Sequence, residues 1–280
     1  MCRAQEGADD MEGFTITKLC EGAYNINDAH DDSFYVVIGE KLARVIDTGV
    51  TEGARITPVI REITDRPLVL VVTHAHFDHM YHMDEFDTVY MSHKELTLKE
   101  SFLENMKHGK DIDFAKTVDI STDSVIDLGG VTLSVCDLAG HTPGSVIILD
   151  ETHGLLFTGD AIGSGCGVWM QVSSSVSLDK YYAALKDAFA WLVKKGGRMA
   201  FWGGHNKQVA QSEQVPGFNP LSMGLLADLI DLVDLVRNGK LEYRPVDGNP
   251  GSDKPVAYAA WGRAEMLFSP DAIHSDNMSE

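Results

Sequence analysis

An apolar run that ends in three closely spaced histidines constrains this chain of 280 residues more than any other feature. The run, PLVLVVT, occupies residues 67–73 and is typical of a strand buried on both faces. It is followed directly by His74, His76, Asp78 and His79. Because open α/β sheets carry their chemistry at the carboxyl ends of strands, we expect a functional site where this strand ends.

The spacing of these four side chains is typical of a metal site. His74 and His76 are two positions apart, so they point to the same side of an extended chain and can hold one ion. Asp78 and His79 follow at the start of a short predicted helix, where they can hold a second ion. Neutral imidazole and carboxylate are the ligands that zinc and other divalent first-row metals prefer. The pattern HxHxDH at a strand end therefore predicts metal binding.

Three more polar residues end apolar runs later in the chain. They are His141 in LAGHTPGS, Asp160 in LLFTGDA and His205 in FWGGH. Each lies beside glycine, where the backbone can approach a site closely. A lone histidine of this kind is more often a loop residue, and a lone aspartate is more often a turn residue or a helix cap. Their joint occurrence, in this order, favours a shared site.

The rest of the sequence alternates between strands and helices, which suggests two similar halves. Strands are predicted over 14–26, 33–40, 42–49, 67–73, 88–92, 124–130, 131–138, 145–150, 155–160 and 199–205, and a closing strand over 255–268. Helices are predicted over 51–64, 93–109, 177–196 with Ser177 as the N-cap, and about 219–238, opened by Asn219-Pro220.

A single domain is expected over residues 13–280. Residues 1–12 lack an apolar signal region and are expected to form a frayed polar segment. Residues 206–280 form a C-terminal extension that can cap the active site, and the loop at 206–218 is the best candidate for a lid.

These motifs make the chain resemble the metallo-β-lactamase fold superfamily, on the branch typified by glyoxalase II-like hydrolases. The family's motifs occur in order as HxHxDH, GHTPGS, FTGD and GGH, preceded by the strand end IDTG. The resemblance covers residues 24–207. It implies an α/β fold, the αββα sandwich, in which two mixed β-sheets pack face to face and helices cover the outer faces.

Carried over position by position, the resemblance assigns seven residues to two metal ions. The first ion would be held by His74, His76 and His141, the second by Asp78, His79 and His205, and Asp160 would bridge the two. Asp47 in VIDTG would orient the ligand loop instead of binding metal. Resemblance to the true β-lactamases of the best-known zinc class would require a cysteine at position 160. The aspartate found there disfavours β-lactam hydrolysis.

The resemblance implies a hydrolase with two Zn²⁺ ions per chain, and iron or manganese would suit the same ligands. Two ions ~3.5–4 Å apart can share a hydroxide that is nucleophilic at neutral pH. That hydroxide would attack a small ester, thioester or lactone, with Asp78 as the catalytic residue that orients it. The alternatives are a small-molecule phosphodiesterase, and a persulfide dioxygenase with one iron on the tri-histidine side.

Charge and cysteine content narrow the choice of partners and location. The 42 acidic and 23 basic side chains give a formal charge of −19, which repels phosphate backbones and anionic lipid. We therefore expect a small-molecule substrate, with neither nucleic acid nor a membrane as partner, and a Leu-rich helix leaves a homodimer open. The four cysteines lack CxxC spacing, and no apolar run approaches membrane-spanning length, so a cytoplasmic location is expected.

Several residues have roles that the sequence leaves open. Trp169 in the glycine-rich segment after Asp160 either walls the pocket or packs in the core, and Cys166 is either a reactive thiol or a small loop residue. His30 is expected at the rim of the active site. The remaining histidines are expected at the surface: His82, His93, His108, His153 and His274.

Overall fold

The computed structural model describes residues 9–11, 13–98, 103, 113–164, 167–206 and 221–277. The helices within these ranges are α1 Ile56–Arg61, α2 Phe77–Met80, α3 Leu178–Lys195 and α4 Met223–Arg237. The strands of the amino-terminal half are β1 Asp9–Met11, β2 Phe14–Cys20, β3 Ala23–Asn27, β4 Ser33–Ile38, β5 Ala43–Ile46, β6 Leu68–Val71, β7 Val89–Met91 and β8 Thr117–Asp119. Those that follow are β9 Val125–Asp127, β10 Thr132–Asp137, β11 Val146–Asp150, β12 Leu155–Gly159, β13 Val168–Met170, β14 Ala200–Gly203, β15 Arg244–Pro245, β16 Ala257–Trp261 and β17 Ala264–Phe268.

The first sheet contains β1 to β8 in chain order. Neighbouring strands are antiparallel from β1 to β5 and parallel from β5 to β8. The apolar run that opened the sequence analysis supplies β6, which lies between β5 and β7. Because parallel strands are usually covered on both faces, they are built from continuous apolar residues, as β6 is.

The second sheet packs face to face against the first. Its order is β14-β12-β11-β10-β9, and within this sheet, as far as the structure describes it, the β12–β14 pair is parallel and the other pairs are antiparallel. Between the sheets, the ring centroids of Tyr35 and Phe157 lie 4.7 Å apart. The same core contains Val37, Ile46 and Val71 of the first sheet and Val135, Ile148 and Leu155 of the second. The predicted fold class, two mixed sheets with outer helices, is therefore confirmed.

Helices α3 and α4 cover the outer face of the second sheet, together with a third sheet of order β13-β17-β16-β15. The Ser177 hydroxyl accepts a hydrogen bond from the Lys180 amide, and Gly196, with φ of +66°, ends α3. The predicted N-cap and glycine stop of α3 are thus confirmed. None of the described helices is long and apolar enough to cross a membrane.

Helix α4 begins later than the Asn219-Pro220 signal predicted, and that prediction is wrong. Its N-cap is Ser222, whose Oγ accepts from the Leu225 amide at 3.2 Å, and Leu221 before it is not helical. Asn219 and Pro220 themselves lie outside the described residues. A serine in an extended conformation satisfies a free helix amide directly, so it fixes where the helix starts.

Other elements differ from the predicted bounds. The helix expected over 51–64 is only α1, because Gly53 adopts a φ of +79° before it. Residues 93–97 form a 3₁₀ helix, and most of the expected helix over 93–109 lies outside the described residues. The expected closing strand is a hairpin of β16 and β17 that turns at Gly262, with φ of +59°. Of the amino-terminal residues expected to be frayed, 9–11 pair with β2 as β1.

His82 is buried, so its predicted surface position is wrong. Its Nδ1 lies 3.0 Å from Oε1 of Glu85, and the Glu85 carboxylate accepts hydrogen bonds from the amides of Ile56 and Thr57 at the start of α1. Glu85 thereby replaces an N-cap that Arg55 cannot supply. Among the other four histidines, His274 is exposed, His93 and His153 are half-buried, and His108 lies outside the described residues.

Candidate metal centre

Seven predicted ligand residues converge where strands of the two sheets end. The loop after β6 and the first turn of α2 carry His74, His76, Asp78 and His79. The second sheet contributes His141 from the β10–β11 connection, Asp160 directly after β12 and His205 shortly after β14. They form two groups, one of His74, His76 and His141, the other of Asp78, His79, Asp160 and His205, each with its ligand atoms within 4.8 Å of one another.

The three histidines of the first group point one nitrogen each toward a common centre. Nδ1 of His76 lies 3.1 Å from Nε2 of His74 and 2.8 Å from Nε2 of His141. Ligands at about 2.0–2.1 Å from a tetrahedral zinc ion are about 3.3 Å apart, so this spacing suits one ion.

The second group combines two imidazoles and two carboxylates. Nε2 of His79 lies 3.5 Å from Oδ2 of Asp78 and 3.7 Å from Oδ2 of Asp160. The same Asp160 oxygen is 3.1 Å from Nε2 of His205 and 3.8 Å from Nε2 of His141 in the first group. Asp160 therefore lies between the groups, where a bridging ligand would be.

The nitrogen of each histidine that faces away from the centre has its own partner. The pairs are His74 Nδ1 with Thr73 Oγ1 at 3.1 Å, His76 Nε2 with Ser174 Oγ at 2.9 Å, His79 Nδ1 with Asp47 Oδ2 at 2.9 Å, His141 Nδ1 with the Trp169 carbonyl at 2.6 Å and His205 Nδ1 with Asp32 Oδ1 at 2.9 Å. Metal-binding histidines characteristically donate their second N–H to such a partner, which fixes the tautomer and the ring orientation.

Asp47 occupies the orienting position that the resemblance implied. Its backbone φ is +61°, an uncommon value outside glycine. Its carboxylate accepts from the Thr73 amide at 2.7 Å and the Thr73 hydroxyl at 2.8 Å, besides contacting His79. One side chain thus ties the end of β5 to both parts of the HxHxDH loop.

Glycine next to His205 allows the two sheets to approach at the site. A Cβ atom on Gly204 would lie 2.5 Å from Oδ1 of Asp160 and 2.6 Å from Cε1 of His79. No side chain fits at those distances, so the expected close approach of backbone here is required by the geometry.

The electrostatics of the first group favour a cation. Burial, followed by repulsion from neighbouring imidazoles, lowers the pKa of His74 well below its usual value and the pKa of His76 to about 3. Burial also lowers the pKa of His141. All three rings are therefore neutral near pH 7 and keep a lone pair that a metal ion can accept.

The second group holds concentrated negative charge. Burial opposes ionisation of Asp160, but His205 and His79 outweigh it and keep the pKa of Asp160 well below its usual value. Burial likewise lowers the pKa of His79, whereas Asp78, Asp47 and Asp160 together raise that pKa well above the usual value. The charge that attracts a proton to this imidazole would equally attract a divalent cation, which can displace that proton.

A bound cation would also satisfy an orphaned atom. Nε2 of His79 is buried and has no hydrogen-bond partner among the described residues. Leaving such an atom unpaired costs about 1–3 kcal/mol. Because it faces Asp78 and Asp160, the donor set fits a divalent metal ion with nitrogen and oxygen ligands.

Three residues that support the site were not predicted from the sequence. Asp32 and Ser174 are the partners of ligand histidines. Glu95 is buried below the ligand loops, where its carboxylate accepts from the Ala75 amide at 3.2 Å and the Gly144 amide at 2.6 Å. Only long-range packing brings these side chains to the site, so no local motif identifies them.

A cavity of about 680 Å³ opens above both ligand groups. Its lining includes Trp169, a residue that is 39% exposed, so the expectation of an apolar wall fits better than that of a core residue. His30 also lines the cavity, as expected for the rim, and Gly251 of the C-terminal extension lies against Trp169. Cys166 lies outside the described residues.

Fold and site together define an αββα protein with a two-part metal-binding centre. A protein-family model described as the metallo-beta-lactamase superfamily matches residues 30–243, and the chain belongs to that superfamily.

Individual relatives agree with this assignment. The chain is 27% identical over 203 residues to acyl-coenzyme A thioesterase MBLAC2 of Homo sapiens, which covers 58% of this chain and 72% of the relative. It is 31% identical over 141 residues to the probable metallo-hydrolase YqgX of Bacillus subtilis (strain 168), covering 47% of this chain and 66% of the relative. The crystal structure of DIM-1 metallo-beta-lactamase superposes with a TM-score of 0.58 at 18% identity, over 81% of this chain and all of that one, which shows a shared fold.

Proposed function

We propose that this protein is a hydrolase that binds two divalent metal ions and cleaves a thioester, or a closely related ester or lactone, in a small-molecule substrate. The observation that carries the proposal is the pair of ligand groups that share Asp160 below an open cavity. The names of the two relatives, an acyl-coenzyme A thioesterase and a probable metallo-hydrolase, support the same reaction class.

When bound, two divalent ions would make hydroxide available near neutral pH and polarise the carbonyl group under attack. The chain's own residues would hold and orient the ions. His74, His76 and His141 would supply neutral nitrogen ligands, so the first ion would keep more of its positive charge toward the substrate. Asp78, His79 and His205 would hold the second ion, and Asp160 would join the two.

Asp78 is the residue that we assign to orient the attacking water. It lines the cavity, and its Oδ2 lies 3.5 Å from Nε2 of His79 and 3.7 Å from Nε2 of His205. Burial opposes ionisation of Asp78, but His79 outweighs this and lowers the pKa of the carboxyl. An ionised carboxylate accepts hydrogen bonds, so Asp78 can align a water molecule while it binds metal.

The serines near the site support the ligands. Ser174 donates to or accepts from Nε2 of His76, and its Oγ lies 3.3 Å from the His141 carbonyl. Ser164 contacts Oδ1 of Asp160 at 3.4 Å and accepts from the His205 amide at 3.2 Å. These bonds hold the hydroxyls in positioning roles, so direct attack by water explains the site better than a serine nucleophile.

The first test is elemental analysis of protein purified without added metal, followed by assays with thioesters, esters and lactones. We expect about two ions per chain, zinc being favoured over iron or manganese, and hydrolysis that is lost in a His76→Ala variant. One iron per chain, no hydrolysis, and oxygen uptake with a persulfide would instead indicate the dioxygenase alternative. A cytoplasmic location and a homodimer remain predictions.

A further inference from the structure

We infer that the cavity selects substrates with an apolar acyl group and an uncharged leaving group, and discriminates against leaving groups that carry phosphates. The inference rests on the proposed function, because it names which thioesters the hydrolase would prefer. Three features of the cavity carry it: two exposed aromatic residues beside the ligands, a carboxylate on a hydrogen-bonded loop at the mouth, and the charges of the lining.

The aromatic rings are those of Phe77 and Trp169. The two residues are 38% and 39% exposed, and both line the cavity. Phe77 lies between the ligand residues His76 and Asp78 in the chain, and the Trp169 carbonyl accepts from His141. Large aromatic side chains held in this way offer contact area to an apolar group next to the reacting bond.

The carboxylate at the mouth belongs to Asp31, an exposed residue of the loop between β3 and β4. Its backbone has a φ of +69° and its carbonyl accepts from the Asn206 amide at 2.7 Å. Asp28 holds the loop from below, since its Oδ1 accepts from the amides of His30 at 2.8 Å and Asp32 at 3.0 Å. The loop that carries the Asp31 carboxylate is therefore held at the edge of the cavity, beside the path of an entering substrate.

No lysine or arginine lines this cavity among the residues that the structure describes. The chain as a whole carries a formal charge of −19. A substrate carbonyl would reach the metal ligands at the cavity floor, but a leaving group that extends to the mouth meets Asp31 and the acidic surface. Like charges repel most at low ionic strength, so phosphates on the leaving group slow productive binding there.

The test compares two thioesters that share one acyl group, hexanoyl-coenzyme A and hexanoyl-N-acetylcysteamine, on metal-loaded protein. The reacting bond is the same in both, and only the first leaving group carries phosphates. We expect kcat/KM at about 10 mM ionic strength to be at least ~10-fold higher for the uncharged thioester, and the ratio to shrink toward about 0.3 M salt.

An equal or higher kcat/KM for the coenzyme A thioester at low salt would overturn the inference while the proposed function stands. A ratio that does not change with salt would also overturn it. Hydrolysis of neither thioester by protein with its full complement of metal would count against the proposed function itself.

A matched pair of variants locates the effect. Asn tolerates a positive φ, so Asp31→Asn removes the charge without new backbone strain. It should raise kcat/KM for the coenzyme A thioester about threefold relative to the uncharged one. Asp187→Asn, on the exposed side of α3, removes the same charge outside the cavity lining and should leave the ratio unchanged. The same change of the kcat/KM ratio in both variants would show that the discrimination does not come from the position of Asp31.

Discussion

Replacement of Glu95 tests whether one buried carboxylate holds the two ligand loops together. Its carboxylate accepts from the Ala75 amide, between two ligand histidines, and from the Gly144 amide and Thr142 hydroxyl next to His141. In Glu95→Ala the Thr142 hydroxyl keeps Ser145 as a partner at 2.7 Å, but both amides lose their acceptor.

Each buried amide left unpaired costs about 1–3 kcal/mol, so Glu95→Ala should lower the free energy of unfolding by ~4 kcal/mol. Urea unfolding at pH 7 in the presence of a chelator, followed by tryptophan fluorescence, measures this loss without a metal contribution. Glu242→Ala, at an exposed position, is the control and should change the free energy by less than ~0.5 kcal/mol. A loss below about 1 kcal/mol in Glu95→Ala would refute the reasoning, since the amides would then have found other acceptors.

The pH dependence of the same residue adds a second measurement. Burial raises the pKa of Glu95 from 4.5 to about 7, against the hydrogen bonds that stabilise the carboxylate. The folded form therefore binds the proton more tightly, and this stabilisation, complete below about pH 4.5, is lost as the pH rises through about 7. Glu95→Gln cannot titrate, so relative to the wild type it should gain up to ~3 kcal/mol between pH 5 and pH 8. Parallel unfolding curves across this range would mean that the hydrogen bonds keep the pKa at its ordinary value.

Three further predictions concern the metal centre. Ser174→Ala removes the hydroxyl 2.9 Å from Nε2 of His76, so zinc affinity measured by chelator competition should fall at least ~10-fold. Ser173→Ala, at the exposed neighbouring position, is the control and should bind zinc as the wild type does. Equal zinc affinities of Ser174→Ala and the wild type would exclude a positioning role for Ser174. Gly204→Ala places a methyl group 2.5 Å from Oδ1 of Asp160, so bound metal should drop from about two ions to about one per chain. The circular dichroism spectrum should stay unchanged, and retention of both ions would contradict the geometry. Removal of metal by EDTA should lower the melting temperature and abolish hydrolysis, and added Zn²⁺ should restore both; a melting temperature that ignores EDTA would argue against a bound ion.

Much of the site could be predicted from the sequence because its ligand residues lie in short local motifs at the ends of apolar runs. The alternation of His74 and His76 at the end of an apolar strand follows from the period of an extended chain. Asp160 and His205 end apolar runs at the same edge of neighbouring parallel strands, so their convergence follows once those strands pair. Ser177 and Gly196 likewise marked the ends of α3 through local backbone chemistry.

The tertiary structure alone decided which groups support the ligands. Ser174 lies 98 residues from His76, and Glu95 lies 49 residues from Gly144, so no spacing rule links either pair. The burial of His82 was also missed, because its partner Glu85 is recruited to the start of α1. Periodicity and capping act over a few residues and can be read along the chain. A buried hydrogen-bond partner, in contrast, is whichever polar group the packing of distant segments brings within 3 Å, and that is fixed only when the two sheets close on each other.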